Sequence, residues 1–152
     1  MALPIYANPL GNLLGGRIMH LIDLVAATAA MRHARSAVVT ASVDSVTFLH
    51  PIHIGQLVLL RASVNRAFTT SMEIGVKVWV EDLRTGAVHH TNSSYVTFVA
   101  LDEQGKPRAV PPVLPDTPTE QRRYREAEER RKLRLDLRRK AIAHERQETA
   151  GG

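Results

Sequence analysis

The chain has 152 residues, 44% of them hydrophobic, no cysteine and a formal net charge of +5. That length bounds it to one domain, or one domain with an appendage. The lack of cysteine excludes a disulfide framework, a thiolate metal site and a cysteine nucleophile. No run of 18 uncharged apolar residues occurs, so no transmembrane helix is expected. The N-terminus has neither the basic nor the apolar region of an export signal, which makes the cytoplasm the expected compartment. Charge is unevenly placed: from Thr117 onward eleven Lys/Arg stand against seven Asp/Glu, so four of the five net positive charges lie in the tail. The remainder is nearly neutral, which argues against nucleic acid as a partner.

Residues 1–14 read as a loop or short edge strand punctuated by Pro4, Pro9 and Gly11. A helix is predicted from Gly15 or Gly16 to about Arg35. Apolar residues surround nearly its whole circumference, which predicts burial on all sides, and Ala26, Ala27, Ala29 and Ala30 permit close packing. One carboxylate, Asp23, interrupts it among Ile18, Met19, Leu21, Ile22, Val25 and Ala26. A charge in such surroundings needs a partner or a function. The Gly-rich loop also delivers free backbone N–H groups to the helix start, where partial positive charge accumulates. Donors beside a base are a minimal kit for attacking a carbonyl.

From Ala37 the period changes. Residues 38–48 are rich in β-branched side chains and predict a strand, and 50–55 a turn or bulged connection. A second strand is predicted over 56–68, with Leu57, Leu59, Ala62 and Val64 as buried positions. A third covers 71–81, with Ile74, Val76, Val78 and Val80 on one face and Glu73, Lys77 and Trp79 on the other. A hairpin at 82–86 leads to a fourth strand over 88–101 and a turn at 102–105. Five prolines between Lys106 and Pro118 predict an extended linker. A charged helix follows to about residue 147, capped by Thr117 or Thr119. It holds no clean heptad, and it is expected to pack along a partner subunit or fray. The division is a domain over 1–112, a linker over 113–118 and a tail over 119–152. One helix followed by four antiparallel strands predicts an α+β domain whose sheet wraps the helix. The unpaired edge and open side of such a sheet predict dimerisation.

Three stretches carry a family resemblance: Asn12-Leu-Leu-Gly-Gly-Arg-Ile-Met-His-Leu-Ile-Asp23, Val39-Thr-Ala-Ser-Val-Asp-Ser-Val-Thr-Phe48 and Thr70-Ser-Met-Glu-Ile-Gly-Val76. In order and spacing they resemble the hot-dog fold acyl-CoA thioesterases, within them the bacterial and brain-type cytosolic acyl-CoA hydrolases. The turn Glu103-Gln-Gly-Lys-Pro-Arg108 is similar as well. The resemblance implies a helix wrapped in a sheet, dimers assembling as trimers of dimers, and active sites at the dimer interface. It implies acyl-CoA as substrate, with no cofactor beyond the coenzyme A that substrate and product carry. It places the catalytic carboxylate on Asp23, the catalytic asparagine on Asn12 of the opposite subunit, and the polarising N–H at Gly16 or its neighbour Gly15. Two positions depart from the pattern: Leu14, where many relatives have His, and Leu24, where relatives often carry an acid.

Thioester hydrolysis needs an activated water and a stabilised oxyanion, while the CoA thiolate leaves readily. Asp23 serves as general base or, alternatively, as nucleophile forming an anhydride. Without the resemblance, Asp23 reads equally as a carboxylate that caps a neighbour or pairs an arginine, and Asn12 as a turn residue. The phosphorylated end of CoA calls for cations and donors: Lys106 and Arg108 first, then Arg61 and Arg66, with Thr70 and Ser71 for pantetheine or phosphate. Any one of these cations reads as well as solvated surface. His20 lies three residues before Asp23 and is as readily a packing histidine. His50, His53, His89 and His90 lack metal-site spacing, and no Gly-x-Ser-x-Gly elbow occurs. Two other readings compete: an acyl-CoA-binding or sensing module without hydrolysis, and a hot-dog dehydratase, whose His–Asp motif is absent.

Overall fold

The computed structural model describes residues 1–44 and 46–150, with side chains through 146. It divides into two units, Met1–Val113 and the segment from Leu114 onward. The first unit has a short 3-10 turn at Pro4–Tyr6, a long helix α1 (Gly15–Ala34) and strands β1 (Ala37–Val43), β2 (Leu57–Ala67), β3 (Ser71–Glu81) and β4 (Val88–Leu101). The strands form one antiparallel sheet in the order β1-β4-β3-β2.

Helix α1 buries one stripe, Ile18, Ile22, Ala26, Ala30 and Ala34, at successive i, i+4 positions. Its C-terminal half uses alanine there, which lets the helix backbone approach the sheet closely. The helix stops at Arg35, which adopts the left-handed conformation (φ 52°) and donates its N–H to the Met31 carbonyl, an αL cap made without glycine. Burial on all sides is not observed: Met19, Leu24 and Met31 are close to half exposed. Four strands cover only one side of a helix within a single chain.

Facing α1 are Met72, Ile74, Val76, Val78 and Val80 of β3 with Val96, Phe98 and Ala100 of β4. On β2 the core face is Val58, Leu60, Ala62 and Val64. Leu57 and Leu59, expected to be buried beside Ala62 and Val64, point the other way. Pairing Val58 with Val80 and Leu60 with Val78 fixes this parity, because residues directly opposite share a face. Strand β1 ends at Val43 rather than running to Phe48. The Val46-Thr47-Phe48 stretch has strand-like residues, but the buried Asn92 side chain donates Nδ2 to the Thr47 carbonyl (2.9 Å). On either side of it the Asp44 and Leu49 N–H groups donate to the Tyr95 and Thr91 carbonyls of β4.

The expected linker is partly ordered onto the sheet. Leu101 bridges to Pro107, Arg108 N–H donates to the Ala100 carbonyl, and Val110 N–H to the Thr69 carbonyl. Prolines at 107 and 111 leave the alternate amides of Arg108 and Val110 free to make these bonds. The second unit is helix α2 (Pro118–Ala150). Thr117 Oγ1 accepts the Glu120 N–H, and Glu120 Oε2 accepts the Asp116 and Thr117 N–H groups. This is a reciprocal capping box with proline at the first helical position.

Candidate active site

The loop before α1 is organised by Asn8. Its Oδ1 accepts the Leu10 and Asn12 N–H groups at 3.0 and 3.1 Å. Its backbone N–H donates to the Asn12 carbonyl, and its carbonyl accepts from Gly11. Gly11 takes φ +74°, which a side chain would resist. With Oδ1 held by two amides, the Nδ2 donors of Asn8 are not used by the loop. Asn12 sits differently: its backbone bridges to His53, and its Oδ1 is buried with no hydrogen-bond partner.

Leu14 occupies the N-cap of α1 and supplies no side-chain cap. Of the first amides, Leu14 donates to the Tyr6 carbonyl and Arg17 to the Leu14 carbonyl. The Gly15 and Gly16 N–H groups are left at the positive end of the helix. Gly16 is exposed, with open space where a Cβ would point.

Asp23 is half-buried at the flank of the stripe. Thr40 of β1 donates Oγ1 to its Oδ1 at 2.8 Å, and no arginine pairs with it among the described residues. Its exposure resolves the apparent conflict of a carboxylate on an apolar helix. Seven residues separate Gly16 from Asp23, a rise of about 10 Å along the axis. One protomer therefore does not bring the Asp23 carboxylate to the free amides at the helix start. His20 is exposed and makes no bond to Asp23.

Thr70, Ser71, Lys106 and Arg108 gather at one end of the sheet. Ala100 N–H donates to the Thr70 carbonyl, and Arg108 N–H to the Ala100 carbonyl. Thr40 pairs with Phe98, next to the Val99–Ser71 rung, so Asp23 lies near that end. The Gly15–Gly16 pair lies toward the other end, where Leu13 N–H donates to the Ile52 carbonyl ahead of β2. Arg61 is not brought into the cluster. It pairs with Lys77 on the face turned away from α1, with its guanidinium 5.5 Å from the Trp79 ring centre. Arg66 lies over Phe68. A cavity of about 380 Å³ is lined by His50, Pro51, His53, Gln56, Val80 and His89. Among the described residues no set of His, Asp or Glu could hold a metal. Neither Asn8 nor Thr40 stood out as a candidate in the sequence. Asn8 carried a turn signal in Asn-Pro-x-Gly; Thr40 had none beyond its place in a strand.

A long helix crossing an antiparallel sheet, with a carboxylate in mid-helix and paired glycines at its start, defines the hot-dog class of thioester-processing proteins. The chain belongs to the thioesterase superfamily, whose family model matches residues 10–87. It is 46% identical over 117 residues to the uncharacterized acyl-CoA thioester hydrolase YkhA of Bacillus subtilis, covering 77% of this chain and 68% of that protein. It resembles an apo-hexameric acyl-CoA thioesterase with a TM-score of 0.87 and 43% identity, covering 90% of this chain and 88% of the other. It also resembles an acyl-CoA hydrolase from Staphylococcus aureus, solved with butyryl coenzyme A, coenzyme A and coenzyme A disulfide. There the TM-score is 0.86 and the identity 40%, over 95% of this chain and 90% of the other. Alanine variants of that hydrolase have been made at an asparagine, at an aspartate fifteen positions later and at a threonine seventeen beyond it.

Proposed function

We propose that this protein hydrolyses acyl-CoA to a free acid and coenzyme A, at a site that two copies build together. The observation that carries the reading is the Thr40–Asp23 hydrogen bond on a half-exposed carboxylate. The two residues fall at the same types and spacing as the aspartate and threonine altered in the Staphylococcus aureus hydrolase. Asn8 falls fifteen positions before Asp23, matching the altered asparagine. We therefore give Asn8 the role that the sequence resemblance gave Asn12. The Nδ2 of Asn8, which the loop does not use, supports the choice.

In the reaction, water adds to the thioester carbonyl carbon as Asp23 takes its proton. The Gly16 N–H, with Gly15 beside it, stabilises the developing oxyanion, and Asn8 Nδ2 donates to the water or the carbonyl. The C–S bond breaks, and the CoA thiolate takes a proton from the Asp23 carboxyl. Thr40 holds one oxygen of Asp23 so that the other faces the water. Attack by Asp23 itself is the other route; label found in Asp23 after a single turnover in labelled water establishes it, with water opening the anhydride at the Asp23 carbonyl.

Because Asp23 and Gly16 of one chain are two turns apart, the amides and Asn8 facing each Asp23 come from the partner copy. We infer that such dimers assemble further as trimers of dimers, a reading supported by a relative that is hexameric. Lys106 and Arg108, with Thr70 and Ser71, hold the phosphorylated end of CoA, and the pantetheine arm spans from there to Asp23. No further cofactor is required. Thiol release from acyl-CoAs of graded chain length tests the proposal, with wild type and Asp23→Ala compared. Release by the wild type that Asp23→Ala abolishes is expected. Equal rates overturn the assignment of Asp23, and no release at any chain length favours a binding module.

A further inference from the structure

The two glycines that open α1 face different surroundings. A Cβ on Gly16 would meet nothing within 4 Å, whereas one on Gly15 would lie 3.4 Å from Cε2 and from Cζ of Phe48. The Phe48 ring is therefore laid against the helix start, one residue from the open amide. Phe48 is nonetheless 45% exposed, so this contact leaves much of the ring uncovered. An exposed phenylalanine outside any strand would ordinarily be mobile; this one is bracketed. The Thr47 carbonyl before it accepts from Asn92 Nδ2 at 2.9 Å, and the Leu49 N–H after it donates to the Thr91 carbonyl at 3.1 Å. Asn92 is itself buried and accepts from Ser94 Oγ at 2.7 Å. A buried polar chain on β4 thus fixes the backbone on both sides of an uncovered aromatic ring.

We propose that Phe48 is a specificity-determining residue, a fixed wall against the acyl α-carbon that favours straight-chain over α-branched acyl-CoA. The inference rests on the proposed function, with the thioester carbonyl at the Gly16 amide. A carbonyl oxygen accepting from the Gly16 N–H lies at the helix start, and the ring packed against Gly15 bounds that start. The CoA side of the thioester is the same methylene in every substrate. A wall at this place therefore discriminates only through substituents on the acyl side. A methyl on the α-carbon meets the ring; two hydrogens do not. Rejection of one methyl by a fixed apolar wall is worth about tenfold or more in kcat/KM.

The test compares the best straight-chain acyl-CoA with its 2-methyl isomer of equal carbon number, so that hydrophobicity is matched. Wild type, Phe48→Ala and Leu83→Ala are assayed for kcat/KM on both. Leu83, an exposed residue in the β3–β4 hairpin, controls for loss of surface apolar area. Phe48→Ala is expected to raise the branched-to-straight ratio about tenfold, and Leu83→Ala to leave it at the wild-type value. The thermal midpoint of each variant reports whether the fold persists. A Phe48→Ala enzyme that is folded and active with a ratio within about twofold of wild type overturns the inference. Wild-type protein that releases thiol from no acyl-CoA overturns the proposed function instead, which is a different result.

Discussion

Among the described residues Asp23 receives one hydrogen bond, from a threonine that arrives seventeen residues later on the first strand. The proposed chemistry therefore depends on two side chains with different duties. Asp23→Asn keeps shape and volume but cannot accept a proton. Its kcat is expected to fall at least about 10²-fold, a typical general-base contribution, with the thermal midpoint little changed because the group is not fully buried. Thr40→Val removes the bond while keeping the branched shape of the strand residue. A hydrogen bond to a charged group is worth about 1.5–3 kcal/mol when shielded, and partial exposure reduces that. A loss of about tenfold in kcat with KM nearly constant is the expected signature, read from steady-state kinetics. A rise in KM alone would mean that Thr40 binds substrate and does not orient the base.

At the scale of elements, α1 works because its buried stripe shrinks from isoleucine to alanine toward its C-terminus. Ala30→Leu forces three extra carbon atoms between helix and sheet. It is expected to cost about 1–3 kcal/mol by overpacking, measured by chemical denaturation. Helix α2 depends on its capping box. The N–H groups of Thr117 and Asp116 bonded to the Glu120 carboxylate hold its pKa below the ordinary 4.5. A carboxylate with a depressed pKa stabilises the folded form above 4.5, and that contribution is lost as pH falls through the lower folded value. The Asp116 and Thr117 amide signals in NMR are expected to titrate together with a midpoint below 4.5. A midpoint at 4.5 or above would mean that the box is open in solution.

At the scale of the whole molecule, the proposed base Asp23 and the proposed oxyanion donors at Gly15 and Gly16 of one chain are too far apart to act on one carbonyl. Neither Asn8→Ala nor Asp23→Ala protein is expected to hydrolyse acyl-CoA at a useful rate by itself. Mixed under conditions of subunit exchange, they are expected to recover about a quarter of the wild-type rate, because half the dimers are hybrids holding one intact site of two. No recovery after demonstrated exchange would place Asn8 and Asp23 in the same site of one chain, and wild-type activity of Asn8→Ala alone would remove Asn8 from the chemistry.

The residue pattern alone determined the order of elements, the core face of β3 and the identity of Asp23 as the odd carboxylate. Those are local properties: period, propensity and an uncompensated charge can be read from neighbours in sequence. Pairing decided the rest. The register of β2 against β3 turned Leu57 and Leu59 away from the core, and bonds to Ala100 and Thr69 drew part of a proline-rich stretch onto the sheet. The Asn92 amide took up the Thr47 carbonyl, next to the Phe48 that lies against the helix start. Thr40 became a partner of Asp23 only when β1 folded back along α1. Each of these depends on a contact between residues distant in sequence, whose geometry exists only once the sheet has closed over the helix.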